Sequence, residues 1–435
     1  MKISIVTVVP DLYTPFLNTS LLGKAAQKGV LSFNVKSFTD YVKLKERIDA
    51  PTCGPTAGMV IRPEVVERAV NDAETLHGAS FKIFFSPHGA ILDQQVLQKI
   101  YNKIQIKQIN HVLLVPGRYE GMDQRVEEIY ADEILSVGNY VLMGGDLPAM
   151  IFLEAFSRLV PGVIGRQESV ERDSFSGPFL DYPEYSLPVL WRNVEVPEMI
   201  RSGNHKAIEQ WRFKHMVERT VYKRFDWLRS FNLTKDQREQ ICKVIPPHCV
   251  VLMHTDVLVG KEKVCGNTSV TSMDVHDIAR SACTYGIQKF FIVTPLKDQQ
   301  AITAQFLHFW QEGRGVEYNK NRHQALENVI LVSSLNDVIE AMQNAYNKEP
   351  LILVTSAQAT PINNSISYYD QEKVWSQKRP VLLVLGTGQG LAPCIIEKAD
   401  FGLIPIEGLA DYNHLSVRSA AAVIFDRWLG IQKKY

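Results

Sequence analysis

The sequence has few cysteines, no excess charge of either sign and no apolar run long enough to cross a bilayer. Its six cysteines form no CxxC pair, which argues against structural zinc and favours free thiols in a reducing cytoplasm. The first residues, MKISIVTVVPD, are too short and too polar for the apolar core of a signal peptide. The 47 basic and 47 acidic residues cancel, so any nucleic-acid surface has to be local. We therefore expect a cytoplasmic protein that does not enter a membrane, and we assign no metal ligands.

The chain length allows two or three domains, because 435 residues exceed the size at which a single core stops growing. In residues 1–160, short apolar runs alternate with helical patterns, which predicts a mostly parallel sheet with helices on both faces. The predicted strands are Ile3 to Val9, Phe81 to Phe85, His111 to Val115 and Tyr140 to Met143. Residues 161–180 are polar and contain glycine, proline and serine, which predicts an exposed linker that carries function.

Residues 181–245 have helical character and a basic bias. Between Arg192 and Arg238 there are eleven Lys or Arg and six Asp or Glu, with tryptophan, phenylalanine and tyrosine among them. Such a surface suits phosphate contact and base stacking, so we expect RNA to dock here. Taken alone, the same pattern also fits a solvated helix face over an aromatic core.

Residues 246–435 show a second alternating α/β pattern, with no residue-level repeat of the first. Its predicted strands are Val250 to Met253, Lys289 to Val293, Val329 to Val332, Leu351 to Val354, Val381 to Leu385 and Leu403 to Ile406.

Two glycine-bearing loops between Leu113 and Met150 are the most specific feature of the first half. Arg118-Tyr119-Glu120-Gly121 is followed by SVGNYVL at 136–142 and by GGDLPAM at 144–150. Glycine permits close backbone approach, so such loops can wrap an adenosine; the alternative is a pair of glycine turns in an unrelated α/β enzyme. In this order the motifs closely resemble the bacterial tRNA (guanine-N1) methyltransferases of the TrmD type, from Met1 to about residue 240.

That resemblance implies a trefoil-knotted SPOUT domain over residues 1–160 that binds S-adenosylmethionine. The cofactor contacts carried over by motif are Pro87, Gly117, Tyr119, Glu120, Gly121, Val137, Gly138, Tyr140, Leu142, Gly144, Gly145 and Pro148.

Methylation of guanine N1 requires a carboxylate that removes the N1 proton and a donor for the charge that builds on O6. By resemblance, Asp173 in the linker is the general base and Arg158 is its partner. The family's enzymes are homodimers in which the linker of one subunit reaches the cofactor pocket of the other. Their substrate is tRNA with guanosine at positions 36 and 37, methylated at position 37. The family has also been linked to Mg²⁺, for which Glu120, Asp173 and Asp181 are the nearby carboxylates.

The tRNA contacts implied by the resemblance lie in two places. Ser202, Asn204, His205 and Arg212 match the family's helical tRNA-binding domain, and Asp49 matches a contact to the guanosine next to the target. The chain departs from the family at Asp49-Ala50 and at CGPTAGM, residues 53–59, where one carboxylate and two glycines are missing. These departures put discrimination at the neighbouring guanosine in doubt.

The second half ends in a glycine loop, Gly386-Thr387-Gly388-Gln389-Gly390, then Ile404-Pro405-Ile406, then NHLSVRSAAA from residue 413. A strand that runs into GxGxG can indicate a dinucleotide site, but such a fingerprint opens its fold, whereas Gly386 is close to the end of this one. The set resembles the trefoil-knotted SPOUT RNA methyltransferases, and knots are exceptions to the usual topology rules.

The overall fold expected is α/β: two trefoil-knotted SPOUT domains, with a small helical tRNA-binding domain at 181–245 between them. In the second domain, 246–435, the expected S-adenosylmethionine contacts are Gly386, Gly388, Gly390, Ile404, Ile406 and Leu415. Its RNA target is unknown, and we expect the two halves to be separable. The alternatives for this half are a non-catalytic RNA-binding or regulatory module and an NAD-binding Rossmann domain.

Overall fold

The structure is a computed structural model that describes residues 1–54, 58–165, 173–358 and 364–431. Its internal contacts divide the chain into two compact units, Met1–Ser176 and Gly177–Tyr435, which we call the N-terminal unit and the C-terminal unit. Parts of the 53–59 loop and of the 161–180 linker, residues 55–57 and 166–172, lie outside the described residues.

A five-stranded sheet in which all neighbours run parallel forms the centre of the N-terminal unit. The unit's strands are β1 (Lys2–Thr7), β2 (Ser32–Ser37), β3 (Asp49–Pro51), β4 (Met59–Ile61), β5 (Phe81–Ile91), β6 (His111–Pro116) and β7 (Glu133–Ser136). The sheet order is β2-β1-β6-β5-β7, and β3 and β4 form a separate antiparallel hairpin.

Helices cover both faces of this sheet. Those described are α1 (Tyr13–Leu17), α2 (Ser20–Gln27), α3 (Pro63–His77), α4 (Gln94–Ile106), α5 (Gln124–Tyr130) and α6 (Asp146–Ser157), with short 3-10 helices at Pro10–Leu12 and Phe38–Tyr41. Along β6, Val112 and Leu114 join a core cluster with residues of α4 and α6, whereas Leu113 and Val115 join one with residues of α3. Strands buried on both faces lack polar alternation, which is why these runs are continuously apolar. The expected parallel sheet with helices on both faces is confirmed.

The C-terminal unit has a seven-stranded, all-parallel sheet and two small antiparallel hairpins. Its strands are β8 (Leu190–Trp191), β9 (Val194–Glu195), β10 (His248–Met253), β11 (Val257–Val259), β12 (Val264–Gly266), β13 (Lys289–Val293), β14 (Val329–Val332), β15 (Leu351–Val354), β16 (Ser365–Ile366), β17 (Val381–Gly386) and β18 (Phe401–Leu403). The sheet order is β14-β13-β10-β17-β15-β18-β16.

The helices described in this unit fall into two groups. Before β10 are α7 (Glu198–Arg201), α8 (His205–Lys223), α9 (Phe225–Leu228) and α10 (Lys235–Val244). After it are α11 (Ser272–Thr284), α12 (Lys297–Gln311), α13 (Gly315–Tyr318), α14 (Lys320–Leu326), α15 (Leu335–Tyr346), α16 (Gln371–Trp375), α17 (Pro393–Ile396) and α18 (Val417–Leu429).

The two sheets share a strand order, although the amino-acid sequences of the two halves show no repeat. The N-terminal order β2-β1-β6-β5-β7 corresponds to β13-β10-β17-β15-β18, and β14 and β16 extend the second sheet at its edges. In both cases the first strand of the sheet is next to the strand that carries the central glycine loop. Because the carboxyl ends of parallel strands meet at one edge, the loops after β17, β15 and β18 occupy the same topological positions as those after β6, β5 and β7.

The helical segment 181–245 packs into the core of the C-terminal unit. Phe225 of α9 contacts Trp375 with ring centroids 4.8 Å apart, and both side chains are buried. Arg229 donates from Nε to the carbonyl oxygen of Gly430 at 2.9 Å and from Nη2 to that of Arg427 at 2.6 Å. A cation suits the carboxyl end of a helix, so Arg229 ties the segment to α18. A fragment that ends at residue 245 would lose these contacts, and the separability of the halves stays a prediction.

Two of the predicted strands are wrong. Tyr140 to Met143 is a loop after β7, with Val141 and Met143 almost fully exposed. Ile404 to Ile406 also lies in a loop, since β18 ends at Leu403. In both places an apolar run of four residues looks like a buried strand, but the strand is formed by the residues just before it.

Candidate functional site

The irregular part of β5 and the loops that follow β6 and β7 come together at the carboxyl edge of the N-terminal sheet. The backbone N–H of Gly145 donates to the carbonyl oxygen of Gly117 at 2.7 Å, which joins the two glycine loops. Between Phe85 and Ala90 the register of β5 on β7 shifts, and Pro87 lies within that irregularity. The structure thus brings together the three segments that hold the predicted cofactor residues of this unit, which are Pro87, Gly117 to Gly121 and Val137 to Pro148.

Glycine is required at the closest backbone approaches in these loops. A Cβ on Gly145 would lie 2.9 Å from Gly117 N and 3.0 Å from Pro116 Cα, both backbone atoms. Gly121 and Gly138 have φ of 109° and 148°, a region that side chains with a Cβ rarely adopt. Tyr119 also has a positive φ, 60°, within the same turn. At these positions an added side chain would meet neighbouring atoms or a disfavoured backbone conformation, and loops of this kind can present main-chain groups to a bent adenosine.

Asp146 stabilises this arrangement through buried hydrogen bonds. No function was assigned to it from the sequence. Its buried carboxylate accepts hydrogen bonds from Thr7 Oγ1 at 2.5 Å, Tyr13 OH at 3.1 Å and Arg118 Nε at 2.9 Å. A carboxylate in the first turn of α6 also suits the helix dipole. Asp146 thereby fixes Arg118 and the start of α6 relative to β1. The only sequence signal for it is an aspartate directly after Gly144-Gly145 and before an apolar helix.

Asp173 and Arg158 are brought together, as predicted, in an ion pair between Oδ2 and Nη2. Both side chains are partly exposed. Arg158 is the residue that ends α6, whereas Gly145 is the residue before its first turn. At a rise of roughly 1.5 Å per residue, α6 separates these two ends by about 20 Å. The ion pair therefore lies far along the helix from the glycine loops of its own chain.

Asp49 lies in the β3–β4 hairpin, which is hydrogen-bonded to the cofactor loop. Glu120 N donates to Met59 O at 3.1 Å, and Ile61 N donates to Gly121 O at 3.0 Å. The carboxylate of Asp49 accepts from Arg47 Nε at 3.0 Å and from Arg47 Nη2 at 2.9 Å. Hydrogen bonding from Arg47 holds the pKa of the Asp49 carboxyl below its usual value, so it presents an ionised acceptor.

The predicted tRNA contacts of the helical segment cluster around the start of α8. The Asn204 side chain caps this helix by accepting from Ala207 N at 3.1 Å, and Ser202 Oγ accepts from Asn204 N at 3.2 Å. His205, the first residue of α8, is exposed. Arg212 stacks over the ring of Tyr182, with its Cζ 4.5 Å from the ring centroid. Ser202 and Asn204 thus have local structural partners, and His205 offers a free surface at the same helix end.

A cavity of about 970 Å³ opens at the carboxyl edge of the C-terminal sheet. Of the predicted cofactor residues, Gly386, Gly388, Gly390, Ile406 and Leu415 line it. Ile404 is not in this lining; its carbonyl oxygen accepts a hydrogen bond from Tyr368 OH at 3.1 Å. The cavity lining further includes His254, Thr268, Asp274 and Thr387, to which the sequence prediction assigned no cofactor role.

The glycine loop of this cavity is held against β11. Leu258 N donates to Gly390 O at 2.8 Å, and Gln389 N donates to Leu258 O at 2.9 Å. Gly388 has a φ of 60° and Gly390 a φ of 113°. At the start of α18, Ser416 accepts from Ser419 N at 3.3 Å and caps the helix, while Asn413 Nδ2 donates to Ala357 O at 2.9 Å. The fit to an adenosine-containing cofactor is therefore similar to that of the first site.

In the part of the chain that the structure describes, no three His, Cys, Asp or Glu side chains cluster as metal ligands would. Two of the three carboxylates considered for Mg²⁺ have other partners: Asp173 pairs with Arg158, and Asp181 pairs with Arg219 at 3.4 Å. None of the helices in the described ranges is long and apolar enough to span a membrane. All six cysteines are unpaired.

Comparison with known protein families assigns both parts of the chain. Residues 1–230 match the family described as tRNA (Guanine-1)-methyltransferase TrmD. The chain belongs to this TrmD family. Residues 248–430 match a second family, described as SAM-dependent RNA methyltransferase. The sequence resemblance and the expected cofactor, S-adenosylmethionine, are thus confirmed at the level of both families.

Relatives of the TrmD family differ in how much of the chain they match. The "tRNA (guanine-N(1)-)-methyltransferase" of Nitratidesulfovibrio vulgaris is 35% identical over 450 residues and covers 99% of both chains. That of Oleidesulfovibrio alaskensis is 34% identical, again over 99% of both. That of Mycoplasmopsis synoviae is 40% identical over 237 residues, which are 54% of this chain but 100% of that protein. The first two relatives therefore match nearly the whole chain, whereas the third, over its own full length, matches 54% of it.

Proposed function

We propose that the N-terminal unit transfers the methyl group of S-adenosylmethionine to N1 of guanosine 37 in tRNA that has guanosine at position 36. The observation that carries this proposal is the convergence of the irregular part of β5 with the loops after β6 and β7, which have glycines at their closest backbone contacts. The ion pair of Asp173 and Arg158 supports it, because it supplies a carboxylate and a guanidinium in contact with each other at the end of α6.

The bound cofactor supplies an electrophilic methyl group on a sulfonium. In the transfer, guanine N1 forms a bond to the methyl carbon while the carbon–sulfur bond breaks and its electron pair stays on sulfur. The N1 proton goes to the Asp173 carboxylate, and Arg158 orients that carboxylate or donates to the charge on O6. The fixed loops orient the methyl group toward guanine N1. Binding in this geometry pays the loss of translational and rotational entropy before the chemical step.

We propose that the protein acts as a homodimer, which the length of α6 supports. The ion pair of Asp173 and Arg158 lies about 20 Å along this helix from the glycine loops of its own chain. This distance is too long for Asp173 to reach a nucleotide bound at those loops. Large apolar side chains are exposed beside these loops: Val141 and Met143, with Leu147 and Ile151 one turn apart on α6. Exposed apolar surface of this kind favours a protein partner. In the proposed dimer, Asp173 of one chain serves the cofactor pocket of the other.

The test of the substrate is a pair of tRNA transcripts. We expect 1-methylguanosine to form in a transcript with guanosine at positions 36 and 37, and not when adenosine replaces guanosine 37. Adenosine at position 36 should lower the rate less than in relatives that retain the missing carboxylate beside Asp49. Equal labelling of both position-37 transcripts by tritiated S-adenosylmethionine would refute the assigned target.

We further propose that the C-terminal unit is a trefoil-knotted S-adenosylmethionine-dependent methyltransferase with an RNA target of its own. The repeated strand order and the glycine-lined cavity at the same topological edge support this. An NAD-binding Rossmann site fits less well, because such a loop opens directly into a helix whose first turn faces the pyrophosphate. Here the loop after β17 leads to α17, which has four residues and begins at Pro393.

The second cofactor site can be tested by replacing Gly388. A Cβ there would lie 2.7 Å from Leu258 O, and the positive φ adds strain, so Gly388→Val should displace the loop. We expect calorimetric titration of the full-length chain to lose one S-adenosylmethionine site per chain. Gly408→Val is the matched control, because Gly408 has no atom within 4 Å of its Cβ position and should bind normally. Unchanged stoichiometry in folded Gly388→Val, or binding of NAD in its place, would overturn the proposal.

A further inference from the structure

The hydroxyl groups of two threonines near the glycine loop of the C-terminal unit determine which ring nitrogen of His254 carries the hydrogen. Thr387 Oγ1 lies 2.7 Å from the carbonyl oxygen of Met253, and a carbonyl can only accept, so the Thr387 hydroxyl donates there. Thr268 Oγ1 lies 2.5 Å from Thr387 Oγ1 and must therefore donate to it. His254 Nδ1 lies 3.0 Å from Thr268 Oγ1, whose hydrogen is already used. Nδ1 of His254 thus carries the hydrogen, and the lone pair is on Nε2.

This lone pair has no hydrogen-bond partner among the described residues, although Nε2 is buried. His254 follows β10 directly and lines the cavity. Burial lowers the pKa of its imidazole to about 4, which keeps the ring neutral at physiological pH. Buried polar atoms without partners are rare in folded proteins, and each calls for an explanation.

Burial alone does not explain the unpartnered nitrogen. His248, at the other end of β10, is equally buried, and both its ring nitrogens have partners. Its Nδ1 lies 2.7 Å from Pro246 O, and its Nε2 accepts from Trp375 Nε1 at 3.2 Å and Trp428 Nε1 at 3.0 Å. One end of β10 therefore carries a histidine whose two ring nitrogens are satisfied by the fold, and the residue after its other end is a histidine of the cavity lining with one unpartnered ring nitrogen.

A carboxylate that faces the cavity accompanies His254. Asp274 of α11 pairs with Arg418 Nη1 at 3.0 Å and accepts from Thr271 Oγ1 at 2.5 Å. Its charge favours the protonated form of His254. An imidazolium formed at His254 would thus be held between Thr268 and the field of Asp274.

We propose that Nε2 of His254 removes the hydrogen from the hydroxyl or N–H group of the RNA nucleotide that the C-terminal unit methylates. This rests on the proposed function of that unit. The nucleophilic oxygen or nitrogen forms a bond to the methyl carbon, the carbon–sulfur pair stays on sulfur, and the proton passes to Nε2. The imidazolium then returns the proton to water. The substrate class is a nucleotide group that bears an exchangeable hydrogen, such as a ribose 2′-hydroxyl or a base N–H.

Two variants of the full-length chain separate this role from a structural one. His254→Asn retains an amide N–H for Thr268 and deletes the acceptor, whereas His254→Gln places an amide oxygen near the position of Nε2 without a basic nitrogen. Both are assayed with tritiated S-adenosylmethionine on RNA from cells that lack this gene. Nucleoside chromatography separates 1-methylguanosine, the product of the N-terminal unit, from any other methylated nucleoside. His308→Asn, an exposed histidine on α12, is the control.

We expect both His254 variants to lower formation of the second product by about 100-fold or more, the usual contribution of a general base. Calorimetric S-adenosylmethionine affinity and 1-methylguanosine formation should stay within about threefold of the unsubstituted chain, because His254 is assigned to neither. The ring ¹⁵N shift of His254 Nε2, assigned by its loss in His254→Asn, should move little on saturation with S-adenosylmethionine.

Each contrary result has a separate meaning. Restored activity in His254→Gln would show a hydrogen-bond acceptor and overturn the role as base. Equal loss of cofactor affinity, or a large Nε2 shift with S-adenosylmethionine, would assign His254 to the cofactor instead. Full activity in both variants would also overturn the proposal. Absence of any second product from the unsubstituted chain, with cofactor bound, would refute the proposed methyltransferase function itself.

Discussion

Asp173→Ala is expected to lower methylation of guanosine 37 by on the order of 10²-fold or more while leaving S-adenosylmethionine affinity nearly intact. Its side chain pairs with Arg158 at the far end of α6, about 20 Å along the helix from the glycine loops of its own chain. Loss of the carboxylate therefore removes a proton acceptor and leaves the glycine loops unchanged. Single-turnover rates and calorimetric affinity, measured on the same preparation, check the two halves of this expectation.

Two further substitutions define the role of the carboxylate. Asp173→Asn preserves shape and hydrogen bonding to Arg158 but cannot take the N1 proton, so it should be as inactive as alanine. Glu128→Ala removes an exposed carboxylate on α5 of the same unit and should change neither rate nor affinity. Parallel losses of rate and cofactor affinity in Asp173→Ala would assign the residue to binding and remove it as the base.

Local motifs predicted most of the parallel strands and the glycine loops, because both depend on neighbouring residues. Lys289–Val293 and Leu351–Val354 form strands with the predicted bounds. Contacts between distant parts of the chain had no such signal. Asp146 accepts from Thr7, 139 residues away, and Thr268 bonds to Thr387 across 119 residues.

One of the two wrong strand predictions has a physical cause related to the proposed assembly. An apolar run indicates that a segment is buried, but it does not say against what. Tyr140 to Met143 is exposed in the single chain, and a proposed homodimer would cover it. The helical segment shows the converse, since Phe225 and Arg229 looked like parts of an RNA-facing surface and instead pack against the C-terminal core.

Gly144→Val is expected to lower S-adenosylmethionine affinity at the first site at least ~100-fold without unfolding the chain. A Cβ at this position would lie 2.7 Å from Arg118 Cδ, 3.0 Å from Arg118 Nε and 3.1 Å from Gly117 O. The Arg118 side chain cannot move freely, because its Nε donates to Asp146 at 2.9 Å. Valine would therefore break that ion pair or push apart the loops joined by Gly145 N and Gly117 O. Calorimetry measures the affinity, and thermal unfolding checks that the fold persists.

Gly165→Val is the matched control, because the Cβ position of Gly165 has no atom within 4 Å and its φ is not positive. Normal affinity in folded Gly144→Val would place the cofactor elsewhere in the unit.

Gly144→Val also tests whether the two chains share an active site, when it is mixed with Asp173→Ala. A mixed dimer would combine Asp173 from the Gly144→Val chain with the intact glycine loops of the Asp173→Ala chain, which restores one of its two sites. With random exchange in a twofold dimer, activity should recover to about one quarter of that of the unsubstituted protein. If base and pocket came from the same chain, every site in the mixture would lack one of them and no activity would return. The length of α6 favours recovery, because its two ends are ~20 Å apart.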